Sequence, residues 1–152
     1  MLAAPVAIPV PRCHTADLRV TLGRGGVGLG NAEVPVYFRN RSGHACFVFG
    51  YAGFGLEDAS HRVQPSHVRW GSTYFGGYWK ARRVVLRPGA RARTILAWGH
   101  VGSPDEPQNS PCEPTSEWLE VTPPDETTFV RVRFHDTVCG HGWLNSPPLR
   151  AG

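Results

Sequence analysis

The sequence predicts an all-β fold of seven to nine short strands, closed as a two-sheet sandwich or a barrel. Three observations predict it. Apolar and polar residues alternate with period two along several stretches, as in antiparallel strands with one face on a core and the other in water. Gly (18) and Pro (14) supply about a fifth of the 152 residues, against about 12% in average proteins, and they fall between those stretches. No window holds helical periodicity for more than a turn or two. With 41% hydrophobic and 11% aromatic residues the chain has enough apolar mass for one core, which excludes a disordered chain, a collagen, a coiled coil and a helical bundle.

The elements follow in order. Leu18, Val20 and Leu22 alternate with Asp17, Arg19 and Thr21 and define a first strand. Val34, Val36 and Phe38 define a second, which Pro35 marks as an edge strand or a late start because proline cannot donate to a ladder. Cys46–Phe49 is a third, mostly apolar run. Arg83–Leu86 and Arg91–Trp98 flank Arg87-Pro88-Gly89-Ala90, which fits a type II turn and predicts a hairpin between them. Glu117–Val121 and Val130–Phe134 complete the set. Gly23–Gly28 and Asn40–Gly43 read as connecting turns, and Ser103–Pro114, with four prolines, as a long loop.

Met1–Pro11 is apolar but carries three prolines and no basic segment, so it reads as an extended arm (residues 1–11) and not as an intact signal peptide. Residues 12–152 read as one β-sandwich domain. No apolar run approaches the roughly 18 residues of a membrane span. Four cysteines without a C-x-x-C pair, in a small β-chain, point to structural disulfides and to an exported protein. Of the three pairings open to them, Cys13–Cys46 with Cys112–Cys139 ties elements close in sequence that a meander would set side by side.

Several motifs invite chemistry. Gly23–Gly28 matches G-x-G-x-x-G, but no helix follows to offer its N-terminal amides to a pyrophosphate, so nucleotide binding is set aside. The seven histidines show no H-E-x-x-H spacing, and with the cysteines oxidised no metal centre is predicted. A weak surface copper or zinc site at His135 and His141 is the remaining metal reading. No nucleophile elbow is present, and no catalytic residue is assigned. Lys80, Arg82, Arg83, Arg87, Arg91 and Arg93 form a basic stretch without an acid, yet Arg91 and Arg93 alternate as a solvated strand face does and the net charge is only +4. Nucleic acid is therefore not the expected partner.

The candidate binding residues are Trp70, Tyr74, Phe75, Tyr78 and Trp79, with Arg82 beside them. Five aromatics in ten residues, spaced by glycines, fit neither a strand alternation nor a helix stripe. They read either as rings capping the core or as an exposed platform. Exposed Trp and Tyr anchor interfaces and stack on sugar rings, and the nearby cations favour an acidic partner.

The ordered set Cys13–Leu18, Asn40-Arg41-Ser42-Gly43…Cys46, Gly50-Tyr51-Ala52-Gly53, Leu86-Arg87-Pro88-Gly89…Ala92 and Trp118-Leu119-Glu120-Val121…Pro124 resembles the actinobacterial secreted domain-of-unknown-function family 4232, over about residues 12–148. The chain departs from that pattern at Ala52, where the family has proline. The resemblance implies an exported, often lipid-anchored, immunoglobulin-like β-sandwich with two disulfides, and it transfers no catalytic residue or cofactor. The function expected is a monomeric, non-catalytic binding module of the cell envelope or extracellular space. Its partner would be a protein or an acidic cell-wall polymer, with carbohydrate binding through the aromatic segment as the alternative.

Overall fold

Alternation is longest where the core is deepest. In a computed structural model, which describes residue 4 and residues 8–152, Asn31–Asn40 is a ten-residue strand with Ala32, Val34, Val36 and Phe38 all buried. It is the third of thirteen strands: β1 (Leu18–Leu22), β2 (Gly26–Gly28), β3 (Asn31–Asn40), β4 (Cys46–Val48), β5 (Gly53–Glu57), β6 (Val63–Gln64), β7 (His67–Trp70), β8 (Val84–Leu86), β9 (Arg91–Gly99), β10 (Ser116–Thr122), β11 (Val130–Asp136), β12 (Trp143–Ser146) and β13 (Arg150–Ala151). The count exceeds the expected seven to nine because seven strands are only two to four residues long. Of the expected arm, residues 1–3 and 5–7 lie outside the described residues. No helix among the described residues is long and apolar enough to cross a membrane.

The strands form a β-sandwich. One sheet runs β1-β3-β9-β12-β7, with β2 added on β3 and β13 on β9; the other runs β11-β10-β5-β6; β4 and β8 pair beside them. Ala92 and Leu96 of β9 and Leu144 of β12 meet Leu56 of β5 and Leu119 and Val121 of β10 in one apolar cluster. Trp98 of β9 packs edge-on against Phe134 of β11 at 5.0 Å between ring centres, closing one layer on the other. Burying such rings and branched side chains is the main force holding the layers together.

Two expectations are corrected. Pro35 lies on a central strand: β9 pairs along one side of β3, and β1 and β2 share the other. Its missing N–H is tolerated because it falls where β1 gives way to β2, and Gly23 N–H donates to the Pro35 carbonyl there at 2.8 Å. The Pro88-Gly89 turn forms, with Gly89 at φ 86°, but β8 pairs with β4 and not with β9. The turn therefore carries the chain between sheets. Parallel pairing enters the antiparallel-rich sandwich where β12 runs beside β7 and where residue 12 bridges β4 at Phe47.

Disulfides and one buried amide fix the corner between the sheets. Cys13 joins Cys46, and Cys112 joins Cys139. Residues 11–13 run along β4, with Cys13 N–H donating to Phe47 and Phe47 N–H donating to Pro11. Asn40 is fully buried, yet its amide is satisfied. Nδ2 donates to the carbonyls of His44 and Leu86, and Oδ1 accepts from the backbone and hydroxyl of Ser42. Its own backbone latches the β8–β9 turn, donating to Ala90 and accepting from Gly89. The Asn-x-Ser-Gly element is thus a structural knot: a buried amide is tolerated only when its donors and acceptors are paired.

Candidate functional site

The aromatic segment does not form one platform. After β7 the chain makes a tight turn, with Thr73 and Gly76 exchanging backbone hydrogen bonds and the buried Thr73 hydroxyl accepting from Phe75 N–H. Gly76 and Gly77 have φ of 117° and 102°, a region closed to most side chains. Successive rings are therefore thrown to different places. Tyr74 and Phe75 pack edge-on at 5.2 Å, Tyr78 is 87% exposed, and Trp70 and Trp79 lie in separate clefts. Most of these rings are exposed and do not cap the core.

The Trp79 cleft has a volume of about 520 Å³ and is the basic one. Trp79 is half-buried, and its indole N–H donates to the Pro148 carbonyl at 2.8 Å, which fixes the ring. Lys80, Arg82 and Arg83 follow it in sequence, and Arg150 of β13 lies over the ring at 4.8 Å. Arg83 is braced over Phe47 at 4.1 Å and donates to the Val10 carbonyl. Among the described residues no carboxylate lines the cleft. The arginines paired to carboxylates among the described residues are Arg12, Arg62, Arg131 and Arg133, none of them in this cleft. Guanidinium groups present forked donors matched to phosphate or carboxylate oxygens, and four cations together make a field that attracts polyanions.

A second charged assembly lies on the outer face of the β5–β10–β11 sheet. Glu57 is buried although Trp118, opposite it across the sheet, and Glu120, opposite Gly55, are only partly so. Arg131 donates to both of its oxygens at 2.8 and 3.1 Å, and the His61 ring bonds it at 2.9 Å. Gly55 leaves the space Glu120 needs: a Cβ there would sit 2.9 Å from the Glu120 carboxyl. Burial pushes the Glu57 carboxyl up, but bonds from Glu120, Arg131 and His61 outweigh it and hold it at about 2. Burial and the adjacent Glu57 raise Glu120 to about 7.

These shifts act on stability with opposite signs. The Glu57 contribution is present above the ordinary carboxylate value of 4.5 and is lost as pH falls toward about 2. The Glu120 contribution is present below 4.5 and is lost as pH rises to about 7. Glu120→Gln, which keeps the hydrogen bond to Glu57 without the second charge, is expected to abolish the decline in melting temperature between those two values. Thermal unfolding across that pH range checks this; an unchanged decline would show that the pair does not share a proton.

The predicted metal histidines have different partners. His135 bonds Glu117 on β10 at 2.8 Å, while His141 bonds Asp105 at 2.9 Å. His141 also joins Glu106 and Glu113, whose ligand atoms and its own lie within 4.8 Å of one another. Glu106 is already engaged structurally. It accepts from the backbone of Ser103, Gly140 and His141, pinning the 103–106 turn to the left-handed turn at Cys139–Gly142. Burial works against its charge, but these N–H bonds prevail and keep it well below the carboxylate range.

The Trp70 cleft joins residues that sequence proximity alone does not connect. Trp70 at the end of β7 lies 5.7 Å from Tyr51, with the two ring planes 29° apart, and Phe49 lines the same cleft. Phe49 and Tyr51 belong to the Gly50-Tyr51-Ala52-Gly53 neighbourhood, whose Gly-Tyr pair is the signal the sequence offers. Buried Ala52 uses its carbonyl to accept from the Trp70 indole at 3.0 Å. No curated protein and no solved structure matches the chain. Residues 13–152 match the family model described as Domain of unknown function (DUF4232), and with the match spanning the whole sandwich the chain belongs to that family.

Proposed function

We propose that the protein is an exported, non-catalytic binding module of the cell envelope or extracellular space that holds an anionic polymer in the Trp79 cleft. One observation carries this reading. Lys80, Arg82, Arg83 and Arg150 surround a tethered tryptophan in a cleft of about 520 Å³ that no carboxylate among the described residues lines. Four cations brought this close repel one another, and an anionic ligand relieves that repulsion. The two disulfides support export, since such bonds persist in oxidising compartments.

Long-chain polyphosphate and poly-L-glutamate are the probes. Both are expected to bind with an affinity that falls steeply with added salt. Arg82→Glu combined with Arg150→Glu is expected to weaken binding by about tenfold or more, as removal of central anchors does, while the circular dichroism spectrum stays the same. Equal affinity in the folded charge-reversal variant would contradict the assignment.

A further inference from the structure

We infer that the Trp70 cleft is a second, chemically opposite binding site, and that it takes a neutral saccharide. The cleft holds about 420 Å³ between the β4–β5 link, the end of β7 and the turn after β10. Three rings face it while remaining accessible: Phe49 is 47% exposed, Tyr51 37% and Trp70 57%. Aromatic surface gathered in one concavity and left in water is a mark of a binding site and not of a core.

The chemistry of the lining selects the occupant. Trp70 has its indole N–H engaged by the Ala52 carbonyl, so it offers a ring face and not a donor. Tyr51 stacks against it, with ring centres 5.7 Å apart and planes inclined 29°, so the two rings brace one another as a fixed aromatic platform. The apolar C–H face of a pyranose stacks on such a platform while its hydroxyls turn toward polar groups at the rim. Those polar groups are present: Thr122 and Asp125 line the same cleft. Asp125 is exposed and makes no side-chain hydrogen bond or ion pair among the described residues, so both its oxygens can accept from vicinal hydroxyls. The neighbouring Glu126 is already engaged by Arg12, His14 and Thr15.

Two alternatives fit this lining poorly. Among the described residues a polyanion meets no cation in this lining, only the carboxylates of Asp125 and Glu126. An apolar peptide side chain, or a second copy of the chain docking through aliphatic residues, finds no Leu, Ile, Val or Met among the described residues that line the cleft; the remainder is Gly50, Gly53, Pro123 and the already engaged Glu126. This site is independent of the anion site, and either assignment can fail without the other.

The test uses the whole chain with cellohexaose, mannohexaose and chitohexaose, followed by the ¹H–¹⁵N signals of the tryptophan indoles and by calorimetry. At least one hexasaccharide is expected to shift the Trp70 indole signal and to leave the Trp79 signal in place. Trp70→Ala and Tyr51→Ala are each expected to weaken binding by about tenfold, Trp70→Phe, which keeps a ring, by less, and Trp79→Ala not at all. Should Trp70→Ala disturb the fold, Asp125→Asn at the exposed rim supplies the second reading and is expected to reduce affinity severalfold. Failure of all three sugars to shift Trp70 at millimolar concentration overturns the inference. So does equal affinity of Trp70→Ala and wild type, or concentration-dependent self-association that protects Trp70 without sugar.

Discussion

Replacing Cys13 and Cys46 together by alanine is expected to lower the unfolding free energy by about 3–4 kcal/mol, because the bridge closes a loop spanning a sequence separation of 33 residues. The figure follows from the chain freedom that a cross-link of that length removes from the unfolded state. The site adds to it: both cysteines are fully buried, and among the described residues β4 has only β8 and residues 11–13 as hydrogen-bonded neighbours. For a domain of this size the melting temperature should fall by about 10 °C. The Cys112–Cys139 pair, separated by 27 residues, should behave similarly but with a smaller loss, since Glu106 independently holds the turn at Cys139–Gly142 to the 103–106 turn. Thermal unfolding of the two alanine pairs under non-reducing conditions measures both. A loss below about 1 kcal/mol for Cys13/Cys46 would show that the corner is held by Asn40 and packing alone.

Arg131→Leu is expected to cost about 3 kcal/mol, the lower end of the range for breaking a buried ion pair, because Arg131 itself is half exposed. The penalty comes from Glu57, whose carboxylate stays buried after the Arg131 Nε–H shared by its two oxygens is gone and keeps only the His61 ring and Glu120 beside it. Removing both charges is the informative control. Glu57→Leu with Arg131→Leu leaves no orphaned group and should be closer to wild type than Arg131→Leu alone. A double variant less stable than the single one would mean that the pair contributes net attraction, and that this face is built around it. Denaturant unfolding of the three variants gives the comparison.

The contrast between these two regions shows what a sequence conveys. The strands β1, β3 and β11 are legible because apolar and polar residues alternate along them, while β9 alternates over Arg91–Thr94 and then runs apolar over Ile95–Trp98; the Asn40 element is legible as a turn. Strand β5 is not, since Gly53 and Gly55 break its alternation; Gly55 is small in order to admit Glu120, a reason that lies on another strand. Glu57, Glu120 and Arg131 look on paper like the wetted side of ordinary strands, and only the fold of His61 and Arg131 over Glu57 makes them a buried assembly. In the candidate site, Trp79, Lys80, Arg82 and Arg83 are contiguous and can be read together, whereas Arg150 arrives from β13 at the far end of the chain. Trp70 and Trp79 group together by nearness in sequence, and the turn at Thr73–Gly76 separates them.

The proposed function places an anionic polymer in the cationic cleft around Trp79. Its most direct measurement is a polyphosphate titration of the ¹⁵N-labelled protein, read at the five tryptophan indole N–H signals. The Trp79 signal should move progressively and saturate, those of Trp70 and of the core Trp98 should stay in place, and the Arg82→Glu/Arg150→Glu variant should show no movement at Trp79. Saturating binding that leaves Trp79 unmoved, or that persists in the charge-reversed variant, would contradict the claim.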